Sequence, residues 1–228
     1  MLTLAGIRPD AVSVLLVGLD TESPEGGFRY VLPADKAMHP DTLLAYALNG
    51  EVLPRDHGYP LRALVPGWVG SANIKWLGQI VVSSKQIWMR NNTSSYVLVG
   101  DQYPPEGESL GKPVTEQVVK SALALPWPAE LSAGPHRIHG YAHSPAGMIS
   151  RVEWSRDSGR TWHEAELSGR QHDHSWERFE FVWDAERGEQ TIMTRATDIV
   201  GNTQPSKVPH NEMGYLFNEP VPHPISVT

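Results

Sequence analysis

Glycine and proline cut this chain into short pieces. The 228 residues include 20 Gly and 19 Pro, more breakers than a helical protein tolerates, so the chain reads as β-rich and turn-rich. The longest apolar run, Val12 to Leu19, has strand length and falls far below the ~18 residues of a membrane-crossing helix. It is β-branched, bounded by Pro9-Asp10 and by Glu22-Ser-Pro-Glu-Gly-Gly27, and reads as a buried strand. Further strands are expected at Phe28–Leu32, Leu61–Val65 and Ile74–Ser83, with a short helical turn at Asp35–His39. Asn49-Gly50 between Leu43–Leu48 and Glu51–Leu53 is a type I′ hairpin signal. From Met89 to Thr115 the sequence is polar and without period, and reads as a long functional loop running into a linker.

Beyond Val114 the pattern changes. His136–Ala142, Ile149–Ser155, Thr161–Leu167, Phe179–Trp183 and Thr191–Thr197 are short, evenly spaced strand candidates. Asp157-Ser-Gly-Arg160 and Val200-Gly-Asn-Thr203 supply turns. Val152 and Trp154 alternate with polar neighbours, the mark of a half-buried strand. This half is therefore expected to be an immunoglobulin-like antiparallel β-sandwich lacking the cysteine pair of antibody domains.

Charge narrows the function. The net charge is −7 and the pI is about 5.8, which argues against a nucleic-acid surface or a polybasic membrane patch, so neither partner is expected. One stretch runs against this acidity. From Glu51 to Arg90 the cations Arg55, Arg62, Lys75, Lys85 and Arg90 outnumber the acids Glu51 and Asp56. They lie in Pro54-Arg-Asp-His-Gly-Tyr-Pro-Leu-Arg62, Pro66-Gly-Trp-Val-Gly70 and Lys75-Trp-Leu-Gly78. Arg offers a planar fork to phosphate oxygens, Lys a point charge, and glycine lets backbone N–H groups come close. Read on its own, this is an anion-binding loop or a turn carrying solvated cations around a packed histidine.

This stretch closely resembles the molybdenum-cofactor loop of the sulfite oxidase family. Gly140-Tyr-Ala, Arg151-Val-Glu-Trp-Ser-Arg-Asp-Ser-Gly-Arg-Thr-Trp162 and Ala196-Thr-Asp-Ile-Val-Gly-Asn-Thr-Gln-Pro205 resemble the dimerisation domain that follows it. The resemblance implies a mostly β, α+β fold. Residues 1–110 would be the C-terminal part of the mixed α+β cofactor domain, and 111–228 the immunoglobulin-like dimerisation domain. It implies that His57, Arg62, Lys75 and Asp20 bind the pterin and phosphate of a molybdenum cofactor. Tyr96 would be the catalytic phenol, with Arg90 adding positive charge over an anionic substrate. The sequence Asn92-Thr-Ser-Ser-Tyr96 departs from the commoner family pattern, which has an acid before the tyrosine and a lysine after it.

The implied reaction is oxo transfer with a small oxyanion, sulfite to sulfate first. The alternatives are nitrate reduction or a non-catalytic remnant that only dimerises. An immunoglobulin-like binding module with an unrelated first domain is a third reading, opposed by the uninterrupted match from Asp56 to Gly78. The implied partners are a second copy and an electron acceptor whose nature the sequence does not give. The family holds its metal through one cysteine thiolate contributed upstream, and the chain has no Cys. The resemblance therefore implies that Met1 is an internal start, a truncated frame or a fragment boundary, and that the cofactor is not held securely by this chain alone. No signal peptide is read at the N-terminus, and compartment, periplasmic or cytoplasmic, is not legible.

At the C-terminus, the Trp-His-Arg of many members is replaced by Asn218-Glu-Pro-Val-Pro-His-Pro224, which puts sulfite as substrate in question. No protein metal site is expected. His136 and His139 should point to opposite faces of a strand, Gln171-His-Asp-His174 reads as a loop, and His163-Glu164 lacks the second histidine of a zinc motif.

Overall fold

A computed structural model describes residues 1–23, 25–169 and 174–228. Of the Gln171–His174 segment, only His174 falls within the described residues. The chain forms two compact units, Met1–Glu116 with Pro209–Tyr215, and Gln117–Val208 with Leu216–Thr228.

The first unit is built on a three-stranded antiparallel sheet in which Ser13–Gly18 lies between Arg29–Pro33 and Leu77–Ser83. Its central strand is buried from end to end, because apolar side chains leave it on both faces. Val14, Leu16, Tyr30 and Leu32 pack with Trp68, Ile74 and Leu77 on one side. Leu15, Val17 and Val31 pack with Val81, Ile87 and Met89 on the other. The Asn49-Gly50 turn forms as expected, with both residues at positive φ, between Ala47–Leu48 and Glu51–Val52. Leu43–Ala45 does not join that hairpin and pairs instead with Arg62–Leu64.

The polar stretch after Met89 is more ordered than its sequence suggests. It holds a π-helical turn at Asn91–Ser95 and a small ladder of Val97–Leu98 with Lys112–Pro113. Asparagine amides organise it where apolar period is lacking. The Asn92 Oδ1 accepts from the Met89 N–H at 2.7 Å, and the Asn91 Nδ2 donates to the Arg29 carbonyl at 2.6 Å.

The second unit is a curled sheet of eight strands. Gly134–His143, Ile149–Ser155, His163–Ser168, Glu177–Ala185 and Gly188–Asp198 occupy the expected strand positions. Alternation along Glu177–Ala185 buries Phe179, Phe181, Trp183 and Ala185, and Trp154 stacks on Phe181 at 4.5 Å. Lys120–Leu123 and Ala129–Leu131 add two short strands that carried no periodic signal. The terminal strand His223–Val227 pairs antiparallel with Gly188–Asp198 and parallel with Ala129–Leu131, the one parallel pairing among the described strands. Among the described residues no helix is long and apolar enough to cross a membrane.

Candidate active site at the end of the central strand

Arg62 and Lys75 come together where Ser13–Gly18 ends, whereas Lys85 lies at the strand's other end, its carbonyl accepting from the Ser13 hydroxyl at 2.9 Å. Arg55–His57 form one 3-10 turn, closed by Gly58 at φ 105°. A Cβ on Gly58 would meet the Arg62 Cβ at 3.0 Å and the Lys75 Cα and Cβ at 3.2 Å. The positive φ favours glycine here, and an added Cβ would press on both cationic residues. Gly18 does the same for the strand end, where a Cβ would lie 2.5 Å from Asp20 Oδ1 and 3.5 Å from the Lys75 carbonyl. Backbone bonds lock the corner: Leu19 N–H donates to the Trp76 carbonyl at 2.9 Å, and Trp76 N–H to the Gly58 carbonyl at 3.4 Å. His57, Arg62, Lys75 and Asp20 therefore meet at one end of the sheet, although 55 positions separate Asp20 from Lys75.

Arg62 is held by neutral groups. Its Nη1 donates to the His57 carbonyl at 3.0 Å and its Nη2 to the Asn73 carbonyl at 3.4 Å. Asn73 is anchored in turn, accepting from the Val65 N–H at 2.8 Å and donating to the Val69 carbonyl at 3.2 Å. Asn73 is a positioning residue that motif reading missed, because nothing in its sequence context marks it. The fork is thus aimed without being neutralised. Among the described residues, none of Arg55, His57, Arg62, Lys75, Lys85 and Arg90 forms an ion pair. His57 and Lys75 are exposed and Arg62 is half-buried. Such a corner carries uncompensated positive potential and open donors, which suits a multiply charged anion.

Asp20 also bonds the backbone at the strand end. Its Oδ1 accepts from the Phe28 N–H at 2.9 Å, which closes the loop between the two strands. Phe28 then leads to Tyr96, with ring centroids 6.4 Å apart. Tyr96 follows the π-helical turn, is half-buried, and its carbonyl accepts from the Val114 N–H at 2.9 Å. Tyr30 lies beneath, its hydroxyl donating to the Val114 carbonyl at 2.7 Å. Burial first, and the neighbouring Tyr96 second, push the Tyr30 phenol above its usual range, so Tyr30 remains a neutral donor. Arg90 is exposed at the start of the turn, and its carbonyl, not its side chain, makes the local bonds.

Four described histidines of the second unit, His136, His139, His143 and His223, have structural partners. His136 Nε2 lies 2.7 Å from the Ser132 carbonyl, His139 packs on Tyr141 and His143 on Trp176. His223 is buried, with Nε2 2.7 Å from the Pro126 carbonyl and its ring against Trp127. Among the described residues no three His, Cys, Asp or Glu side chains gather as a metal site would require.

Residues 1–90 match the oxidoreductase molybdopterin binding domain, and residues 112–222 match the Mo-co oxidoreductase dimerisation domain. Together the two matches span most of the chain, and both are domains of molybdenum-cofactor oxidoreductases. It is 34% identical to rat mitochondrial sulfite oxidase over 219 residues, covering 89% of this chain and 39% of that protein. It is 30% identical to Arabidopsis thaliana nitrate reductase [NADH] 1 over 239 residues, covering 92% of this chain and 26% of that one. The sulfane dehydrogenase SoxCD of Paracoccus pantotrophus superposes with a TM-score of 0.83 at 29% identity, covering 96% of this chain and 56% of that chain. The chain thus spans about two-fifths of the rat enzyme's length.

Proposed function

We propose that this chain supplies the phosphorylated-pterin side of a molybdenum-cofactor site and serves oxo transfer with a small oxyanion, sulfite to sulfate first. Residues 1–110 serve as the cofactor-binding part and 111–228 as the part through which two copies associate. The supporting observation is the cluster of Arg62, Lys75 and His57 around Gly58, cationic and free of carboxylate partners among the described residues.

These donors fit the anionic half of the cofactor. Arg62 offers its fork to phosphate oxygens, Lys75 a mobile charge and His57 a directional hydrogen bond to a polar pterin edge. Asp20 holds the strand-end loop against them through Phe28. The 228 residues include no Cys, so a thiolate for the metal has to come from outside them. When bound, the cofactor supplies the two-electron oxo-transfer chemistry. The chain's own contribution is binding, orientation and positive potential, with Tyr96 donating a hydrogen bond to the oxyanion or relaying a proton.

The test is expression of the chain together with a thiolate-bearing segment in a host that makes the cofactor, followed by metal analysis and turnover with an artificial electron acceptor or donor. Molybdenum in the purified protein with sulfite-dependent acceptor reduction supports the reading. Nitrate-dependent donor oxidation without sulfite turnover would move the substrate to nitrate. Bound pterin with no turnover of either would leave a binding role alone.

A further inference from the structure

The last residues of the first unit come from far along the chain. Pro209–Tyr215 folds with Met1–Glu116, although the segments on either side of it belong to the second unit. Glu212 N–H donates to the Val99 carbonyl at 2.9 Å. Gly100 lets the segment lie close, since a Cβ there would sit 2.9 Å from the His210 carbonyl oxygen. The turn that follows is closed on a single tyrosine. The Asn211 Oδ1 accepts from the Tyr215 N–H at 3.1 Å and its Nδ2 donates to the Tyr215 carbonyl at 3.0 Å. Asn211 is buried, and a buried amide with both ends satisfied fixes a backbone firmly. The result is a Tyr215 ring 5.7 Å from that of Tyr96, tilted by 44°, while Phe28 packs edge-on against Tyr96 at 6.4 Å.

We propose that Tyr215 is a positioning residue for Tyr96, clamping that phenol between itself and Phe28 so that its hydroxyl points in one direction. Ring pairs at these separations contribute beyond simple area burial, and a clamped ring loses the rotamer freedom that would blur the aim of its O–H. The functional consequence rests on the reading of Tyr96 as the reacting phenol, but the clamp itself is testable without cofactor or turnover.

The experiment is fluorine NMR of the full chain labelled with 3-fluorotyrosine, with the Tyr96 resonance assigned by Tyr96→Phe. In Tyr215→Ala the Tyr96 signal is expected to shift toward the free amino acid position and to narrow. In Tyr215→Phe, which keeps the ring, it is expected to stay in place. If Tyr215→Ala does not fold, Asn211→Ala, which removes both amide bonds to the Tyr215 backbone, is expected to give the same shift. A Tyr96 resonance that coincides with wild type in a folded Tyr215→Ala or Asn211→Ala protein overturns the proposal. A role in merely tying down the segment would move many resonances alike and would not be rescued selectively at Tyr96 by phenylalanine. That pattern would also overturn it. Loss of sulfite turnover in Tyr96→Phe tests the catalytic reading separately.

Discussion

Arginines along the strands of the second unit meet carboxylates, whereas among the described residues the cations around Gly58 in the first do not. In the second, Arg137 and Arg178 both face Glu180, Arg151 and Arg195 both face Glu153, and Arg156 faces Glu186. Arg195 also lies over the Trp162 ring at 4.2 Å. Arg137 and Arg195 reach across to a neighbouring strand, Arg178 and Arg151 along their own, and Arg156 meets Glu186 just beyond the strand ends. In the first unit the loop cations meet carbonyls or solvent and no carboxylate among the described residues. An acidic chain has carboxylates to spare, so leaving Arg62 and Lys75 without them points to an external anion as their partner. Paired surface charge reads as sheet chemistry, and unpaired clustered charge reads as site chemistry.

The contrast can be broken at several points. The largest effect belongs to the scaffold. Trp183 is 2% exposed, and Trp183→Ala should destabilise the second unit by about 3–5 kcal/mol. Denaturant unfolding should show that loss while anion binding by the first unit persists at low denaturant. Concurrent loss of binding would mean that the two units are not separable in function.

Next is the corner itself. Gly58→Val places a branched side chain at φ 105°, where its Cβ would lie 3.0 Å from Arg62 and 3.2 Å from Lys75. Backbone strain of about 1–3 kcal/mol is expected, together with loss of pterin or pyrophosphate binding in calorimetry. Retained binding would show that the corner is not the site.

A pH dependence sharpens the comparison from the other side. Burial, and then nearby His174, lower the pKa of His143 below its usual 6.5. The unfolded chain then takes up this proton first, so the stability from keeping His143 neutral is fully present above pH 6.5 and is lost as pH falls toward the folded value. Thermal midpoints of wild type should fall through that window, and those of His143→Gln should fall less. Equal slopes would remove His143 from the account.

The smallest effect is at the rim. Arg156 and Glu186 are both half or more exposed, and Arg156→Gln should cost only about 0–1 kcal/mol with no change in anion binding. A larger loss would show that paired surface charge carries more of the fold than argued.

Much of the sheet structure was legible. Alternation marked the strand around Val152, and Asn49-Gly50 marked its hairpin, because both signals are local. Partner choice was not. Nothing within Leu43–Leu48 says that its first half pairs with Arg62–Leu64. The strand His223–Val227 is hidden by prolines, and its partners Ala129–Leu131 and Gly188–Asp198 lie far away in sequence. The stretch after Met89 looked like a loop because its order comes from asparagine amides bonding backbone, which leaves no periodic trace. At the site, motif resemblance named the cations, and the structure brings them together. It could not name Asn73 or Tyr215, whose parts depend on contacts made only in the fold.

The most direct test of the central claim is pterin content. Wild type and the double variant Arg62→Gln, Lys75→Gln would be purified in parallel from a cofactor-producing host, and oxidised pterin released from each would be quantified by fluorescence. Pterin carried by the wild-type protein is expected to be lost from a folded double variant. Equal pterin in both would contradict it.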